Sequence, residues 1–429
     1  MNPPPADASR ARLFSGPAGR ALAVLTAINL LNYLDRYVVS ALFESLRADL
    51  WLTDTRLGFL ATAFIVVYMV ASPAFGILGD RRPRLPLLAV GVGIWSLATV
   101  LSGFARGYWT LLAGRASVGI GEAAYGTISP GLIADHFGPE RRGRAFAFFF
   151  AAIPVGAALG YAVGGVVDRT LGWRAAFFFA GAPGLLLALA CLRLVDPPRG
   201  AAESTWSTAG AGGIAATYRR FLGNRPYVLT VLGYAAYTFA VGGMSWWMPA
   251  FLERTRGVPR TVATVQFGAI VIATGFLGTF AGGYVADALR RRFREADLWV
   301  CGASALAAVP ATLVVFLTWR PGLYLAALVV AQLLIFASTG PVNAAIVAEV
   351  PPAERASAVA LSILAIHLLG DVPSPWLIGF LSDRSSLGRA VMVVPVATLA
   401  AGIIWTWAAW RGERAAGRRE DQRDASAAS

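Results

Sequence analysis

Residues 76–84 read Gly76-Ile-Leu-Gly79-Asp80-Arg81-Arg82-Pro83-Arg84, a glycine-spaced helix end that runs into a cluster of arginines. The Gly-x-x-x-Asp pattern returns 207 positions later as Gly283-Tyr-Val-Ala-Asp287, and Pro139-Glu-Arg-Arg142 returns 213 positions later as Pro352-Ala-Glu-Arg355. Two recurrences in the same order at similar offsets mark duplicated halves. Within each half the pattern occurs once more, at Gly164 to Asp168 with Arg169 and at Gly379 to Asp383 with Arg384. These inner copies are expected to end spans on the opposite side of the membrane, as an inverted repeat requires.

The sequence around these copies is apolar in long blocks. Of 429 residues, 57% are hydrophobic and 14% charged, with a mean hydropathy of +0.60. A soluble domain carries about a quarter charged residues, so the chain reads as a polytopic membrane protein. Twelve spans are predicted, near 22–46, 57–79, 85–105, 108–135, 144–167, 173–195, 227–252, 261–286, 297–319, 322–349, 356–382 and 389–410. The long polar connection 196–225 divides 21–195 from 226–410, with tails at 1–20 and 411–429 that read as disordered from their Pro, Ala, Ser and charge content. The expected fold is therefore an all-α membrane protein, with twelve transmembrane helices in two pseudo-symmetric six-helix bundles.

An even number of spans puts both termini on one side. That side holds 24 arginines and the opposite loops 11, which predicts cytoplasmic termini. The net charge of +13 thus has a topological explanation that needs no nucleic acid. All 37 positive residues are arginine, so a lysine-dependent P-loop is excluded. No Gly-x-Ser-x-Gly elbow occurs, the two histidines, His136 and His367, form no metal-ligand pair, and Cys191 and Cys301 are 110 positions apart. An enzyme, a metal site and a resident cofactor are not expected. Short termini and the absence of lysine fit a bacterial inner-membrane protein.

Several motifs resemble those of a known superfamily. Gly76-x-x-x-Asp80-Arg81-Arg82-Pro83-Arg84 resembles the loop signature of the major facilitator superfamily, with Pro83 where glycine is usual, and Arg115-x-x-x-Gly119-x-Gly121 resembles its fourth-helix motif. Asn32-Tyr33-Leu34-Asp35-Arg36, Gly119-Ile-Gly121-Glu122-Ala123 and His367-Leu-Leu-Gly370-Asp371-Val-Pro373-Ser374-Pro375 together resemble the spinster-like branch. That resemblance implies the major facilitator fold and proton-driven transport of a lysophospholipid or a sphingolipid phosphate. A small organic-anion symporter or drug exporter of the same superfamily is the alternative, since organic-anion symporters share the first segment.

Ionisable residues at mid-membrane depth are functional candidates, because burying them in lipid is costly. Asp35 and Arg36 are adjacent and diverge by about 100° around a helix, so they serve different faces. Asn32 and Arg36 share a face suited to a phosphate or carboxylate. Arg115, Gly119 and Glu122 share another, with Tyr125 continuing the stripe. Asp35 and Glu122 are the expected proton carriers, Arg36 the headgroup ligand, and Arg115 the residue that tunes Glu122. Asn32, Tyr125, Asn343 and Trp246 complete the candidate substrate contacts. Trp246 and Trp247 also have the plainer reading of an interfacial belt.

His367 and Asp371 lie four apart on a helix interrupted by Gly370, Pro373 and Pro375, a place for a bend and for coupling. Gly76, Asp80, Arg81, Arg84 and Asp287 are expected to form a conformational latch, with glycine allowing close approach and Asp accepting bonds from a neighbouring helix end or arginine. The run Phe146 to Phe150 reads as lipid-facing, and Gly156, Gly160 and Gly164 as a close-packing stripe. The expected partners are a small amphipathic lipid, protons and the surrounding membrane lipids, with a proton gradient as driving force and the chain acting as a monomer.

Overall fold

A computed structural model describes residues 14–198, 214–351 and 354–428. Among them the structure is all-helical. In chain order the helices are α1 (Gly16–Ala41), α2 (Phe43–Leu50), α3 (Asp54–Arg81), α4 (Arg84–Ser102), α5 (Tyr108–His136), α6 (Pro139–Leu171), α7 (Trp173–Cys191) and α8 (Ile214–Gly223). They continue with α9 (Arg225–Arg256), α10 (Arg260–Leu289), α11 (Ala296–Leu317), α12 (Pro321–Phe336), α13 (Thr339–Ala348), α14 (Arg355–Ile366), α15 (Pro373–Arg384), α16 (Leu387–Ala390) and α17 (Val393–Ala428). Ten helical segments among the described residues are long and apolar enough to cross a membrane. The boundaries follow backbone chemistry. Gly172, at φ +83°, separates α6 from α7, and Gly257, at φ 69°, stops α9 in a left-handed turn whose amides return to Glu253 and Leu252.

The described residues fall in two compact units, one within 1–50 and 63–206 and the other within 51–62 and 207–429. In the first, α6 lies along α1, and α4 is held between α5 and α7. The α1–α6 seam is the predicted glycine stripe. A Cβ at Gly156 or Gly160 would stand 2.4 or 2.5 Å from the carbonyl oxygens of Leu30 and Leu34, and one at Gly164 would meet the Ala41 methyl at 2.6 Å. This seam occupies the Leu30–Leu34–Ala41 face of α1 and leaves its Asp35 and Arg36 faces to other neighbours.

In the second unit α17 packs on α9 and α11, and α11 on α12. Between α14 and α15 lies a π turn, His367–Asp371, closed by the Val372 amide on the His367 carbonyl at 3.0 Å. The segment predicted to be interrupted thus continues as helix through one wide turn. Gly370 sits where a Cβ would stand 2.8 Å from the Ala235 carbonyl oxygen of α9.

Two expectations about connections change. The central loop includes helix α8, and α17 runs on through 411–428, where Ala, Glu and Arg favour helix over the disorder suggested by charge content. At the base of α17, the Glu295 amide donates to Glu413 Oε1 at 2.9 Å. Burial and the neighbouring Glu295 push the Glu349 carboxyl, just past α13, from the usual 4.5 up to about 7. A carboxyl favoured in its neutral form makes the folded chain less stable as pH rises from about 4.5 through 7. Glu349→Gln is accordingly expected to raise the melting temperature by about 2–4 °C at pH 8 and to leave it unchanged at pH 4. Melting curves of the two proteins across that range measure it, and an equal shift at both ends would refute it.

Candidate functional site

Inside the first unit, α1 brings Asp35 and Arg36 against α4 and α5. Arg36 Nη2 lies 2.8 Å from Glu122 Oε2. Asp35 Oδ2 accepts the Thr99 hydroxyl at 2.8 Å, and its Oδ1 stands 3.9 Å from Arg115 Nη1. The two adjacent residues of α1 do serve different faces. The pairing is nevertheless crosswise to expectation: Arg115 faces Asp35, and Glu122 is paired by Arg36. Arg115 and Glu122 share a stripe of α5, but the approach of α1 supplies a nearer partner for each.

Burial is nearly complete. Asp35 and Glu122 are 1% exposed and Arg115 and Thr99 0%, whereas the Arg36 side chain keeps 20%. Aromatic rings complete the setting. The Arg36 guanidinium lies 4.8 Å from the Tyr33 ring centre, 4.9 Å from Phe64 and 5.7 Å from Tyr68, and Arg115 lies 5.0 Å from Phe64. Phe64 therefore contacts both guanidinium groups. Such contacts are worth up to about 2 kcal/mol each when desolvated.

Hydrogen bonding is incomplete. Among the described residues, Asp35 Oδ1, Glu122 Oε1, Arg36 Nε and all three Arg115 nitrogens lack a hydrogen-bond partner. A buried unsatisfied polar atom costs about 1–3 kcal/mol, so a cluster of this kind is poorly suited to a purely structural role. The two carboxylates and two guanidiniums balance only while all four are charged. Proton uptake by either acid leaves one arginine in excess, able to bind an anion.

The other predicted residues fall as follows. Asn32 is buried on α1. Tyr125, 3% exposed, donates its hydroxyl to the Leu25 carbonyl at 2.8 Å and packs edge-on against Trp95, so it braces α5 on α1. In the second unit Asn343 donates to the Thr339 carbonyl at 2.8 Å and bonds Tyr234. His367 Nδ1 lies 2.9 Å from Asp371 Oδ1 on the π turn. Trp246 and Trp247 are buried, and Trp247 donates to the Pro375 carbonyl at 2.9 Å, which replaces the interfacial belt by a core role. Phe148 and Phe150 are exposed as expected, but Phe149 is buried near Tyr125.

The residues predicted for the latch divide between the two units. Arg84, 6% exposed, pairs with Asp135 and Asp196 and donates to the Pro197 carbonyl, pinning the ends of α4, α5 and α7 within the first unit. Its place at the first residue of α4 puts it beside those ends. A Cβ at Gly76 would meet open space, while one at Gly79 would touch Ile128, so the close approach occurs three residues later than read. Arg81 is exposed, and Asp287 pairs with Arg290 one turn on. The Asp80 side chain lies outside the described residues.

The inner copies of the pattern do bind. Asp168 accepts the Ser45 hydroxyl at 2.6 Å, and Asp383 accepts the Asp54 and Thr55 amides at 2.9 and 2.8 Å. Asp54, 2% exposed, is held by Arg254 through both Nη atoms and by Ser382 Oγ. Sequence reading missed Asp54, Arg254, Thr99, Phe64 and Tyr68. The i, i+4 spacing of Phe64 and Tyr68 on α3 is the one signal that could have paired an aromatic wall with Arg36.

Residues 25–370 match the sequence model of the Major Facilitator Superfamily. The chain is 37% identical over 389 residues to protein spinster homolog 3 of Danio rerio, spanning 85% of this chain and 77% of the relative. To human protein spinster homolog 1 it is 37% identical over 397 residues, 87% of this chain and 74% of that one. A crystal structure of a bacterial homologue of the human lysosomal transporter spinster, inward-facing and unoccupied, superposes with a TM-score of 0.84 at 25% identity, covering 92% of this chain and 98% of that one. The D-xylose–proton symporter shares the fold at a TM-score of 0.73 and 18% identity, over 91% of this chain and 97% of that one. The chain belongs to the spinster family of the Major Facilitator Superfamily. It is a multi-pass membrane transporter for a small molecule rather than an enzyme.

Proposed function

We propose that the chain is a proton-coupled transporter of an amphipathic lipid bearing an anionic headgroup, a lysophospholipid or similar lysolipid, working by alternating access. The observation that carries this reading is the buried four-charge cluster Asp35, Arg36, Arg115 and Glu122 with its unsatisfied atoms. Protonation of Glu122 releases Arg36, the one member with a partly exposed side chain, to pair with a phosphate. Return of Glu122 to its charged form recaptures Arg36 and expels the headgroup. Protonation of Asp35 does the same to Arg115 at a fully enclosed position, so Asp35 acts as a carrier and Arg115 as its counter-charge. Asn32 on α1, with Asn343 and Trp246 in the second unit, are the further candidates for contact with substrate. His367 and Asp371 adjust the π turn, and a proton gradient drives the cycle without a cofactor.

The proposed topology has twelve spans in two pseudo-symmetric six-helix bundles. The ten apolar segments are joined by α1 and α5, long helices in which the charged residues of the site lower the hydropathy. The arginine excess supports cytoplasmic termini, the proposed location is a bacterial inner membrane, and the proposed transporting unit is a monomer. The test is uptake of labelled lysophosphatidylglycerol by the purified protein in liposomes under an imposed pH gradient, with a small organic anion in parallel. Gradient-dependent lipid movement supports the proposal. Movement of the organic anion alone would transfer the substrate to the symporter alternative.

A further inference from the structure

A cavity of about 450 Å³ opens on the second unit between α10, α11 and α12, within the ~300–1,000 Å³ of typical small-molecule pockets. Val285, Leu289, Phe293, Trp299, Ala303 and Leu333 line it. It is far in sequence from the four-charge cluster and belongs wholly to the other unit. Its floor is made by close packing. A Cβ at Gly282 would fall within 1.9 Å of the Ala337 carbonyl oxygen, so α10 and the end of α12 close on one another there.

The residues at one end of the cavity are basic. Phe293 sits inside the run Arg290-Arg291-Arg292-Phe293-Arg294, and its ring lies 6.3 Å from Trp299 and 5.9 Å from the Arg292 guanidinium. Arg290 is held by Asp287 at 2.6 Å and Asp297 at 2.8 Å. Arg291 and Arg292 are exposed and form no ion pair among the described residues. The Trp299 indole N–H is buried and has no acceptor among the described residues. The outer face of α10 next to the cavity exposes Leu277, Phe280 and Tyr284 at 62%, 75% and 79%, as a lipid-facing surface does.

An apolar slot, an unpartnered donor on its wall and unpaired cations beside it form one sequence of chemistries. They complement an acyl chain, its ester linkage and a phosphate. We infer that this cavity binds one anionic two-chain phospholipid of the surrounding bilayer, with an acyl chain between α10, α11 and α12 and the phosphate at Arg291 and Arg292. The occupant is a resident lipid that braces the second unit, separate from any transported substrate.

Native mass spectrometry of the full chain, delipidated and then given equal amounts of dioleoyl phosphatidylglycerol and dioleoyl phosphatidylcholine, tests this. One phosphatidylglycerol is expected to stay bound per chain, preferred about fivefold or more. Ala303→Phe should remove retention of both lipids, and the double variant Arg291→Gln/Arg292→Gln should equalise them. The two arginines are solvent-exposed, so that variant keeps the test decisive should Ala303→Phe fail to fold. Glu122→Gln, altered in the other unit, should retain the lipid unchanged. Equal retention of the two lipids by the unaltered chain, or a phosphatidylglycerol preference that survives the arginine substitutions, would overturn the inference.

Discussion

Glu122→Gln protein in liposomes is expected to lose gradient-driven uptake while keeping its fold. The substitution preserves shape and removes the ability to exchange a proton. It also leaves Arg36 without its carboxylate at 2.8 Å. Truncating one partner of a buried charge pair costs about 2–5 kcal/mol, which corresponds to about 30-fold or more in an equilibrium constant. Two readouts separate coupling from collapse. Uptake down a pH gradient should fall at least tenfold, whereas exchange of labelled for unlabelled substrate at equal pH should persist, because exchange needs no net proton movement. Asp35→Asn should behave the same way, since Asp35 holds the second carboxylate. Gradient-driven uptake unchanged in both variants would take the two acids out of the coupling mechanism.

Arg254→Gln is expected to cause the largest loss of stability outside the charge cluster. Asp54 is 2% exposed and accepts hydrogen bonds from both Nη atoms of Arg254 and from the Ser382 hydroxyl. Removing the arginine strands a buried carboxylate, at about 3–5 kcal/mol. Close packing leaves little room to relax. A Cβ at Gly379 would stand 2.2 Å from the Asp54 carbonyl oxygen, and one at Gly58 2.2 Å from that of Pro375. The melting temperature should fall on the order of 10 °C. Asp54→Asn in the Arg254→Gln background should recover part of the loss, because the stranded charge is gone. A double variant no more stable than Arg254→Gln would show that the pair contributes through packing alone.

Much of this architecture was legible from residue spacing. The glycines at 156, 160 and 164 announced a seam, and a seam is what they form, because a helix face without side chains admits a neighbouring backbone whatever that neighbour is. Mid-span charges were equally legible as a class, since lipid tolerates so few. Their partners were not. Spacing along α5 put Arg115 beside Glu122, but which carboxylate meets which guanidinium depends on how far α1 slides against α5, a property of packing between segments 86 positions apart. Trp246 and Trp247 illustrate a second limit. A tryptophan near a span end satisfies the headgroup region and a buried carbonyl equally well, and only the position of Pro375 decides. Arg84 shows a related limit: charge beside a helix end does not say which carboxylates will meet it, and Asp135 and Asp196 come from 51 and 112 positions away.

Phe64 gives the cluster its electrical design. Its ring stands within 5.0 Å of both guanidinium carbons, which gives the two arginines one shared hydrocarbon neighbour. Hydrocarbon of low permittivity does not screen charge, so a change of charge at one ion pair is felt at the other. A single proton taken up at one carboxylate would therefore disturb the balance of the whole cluster.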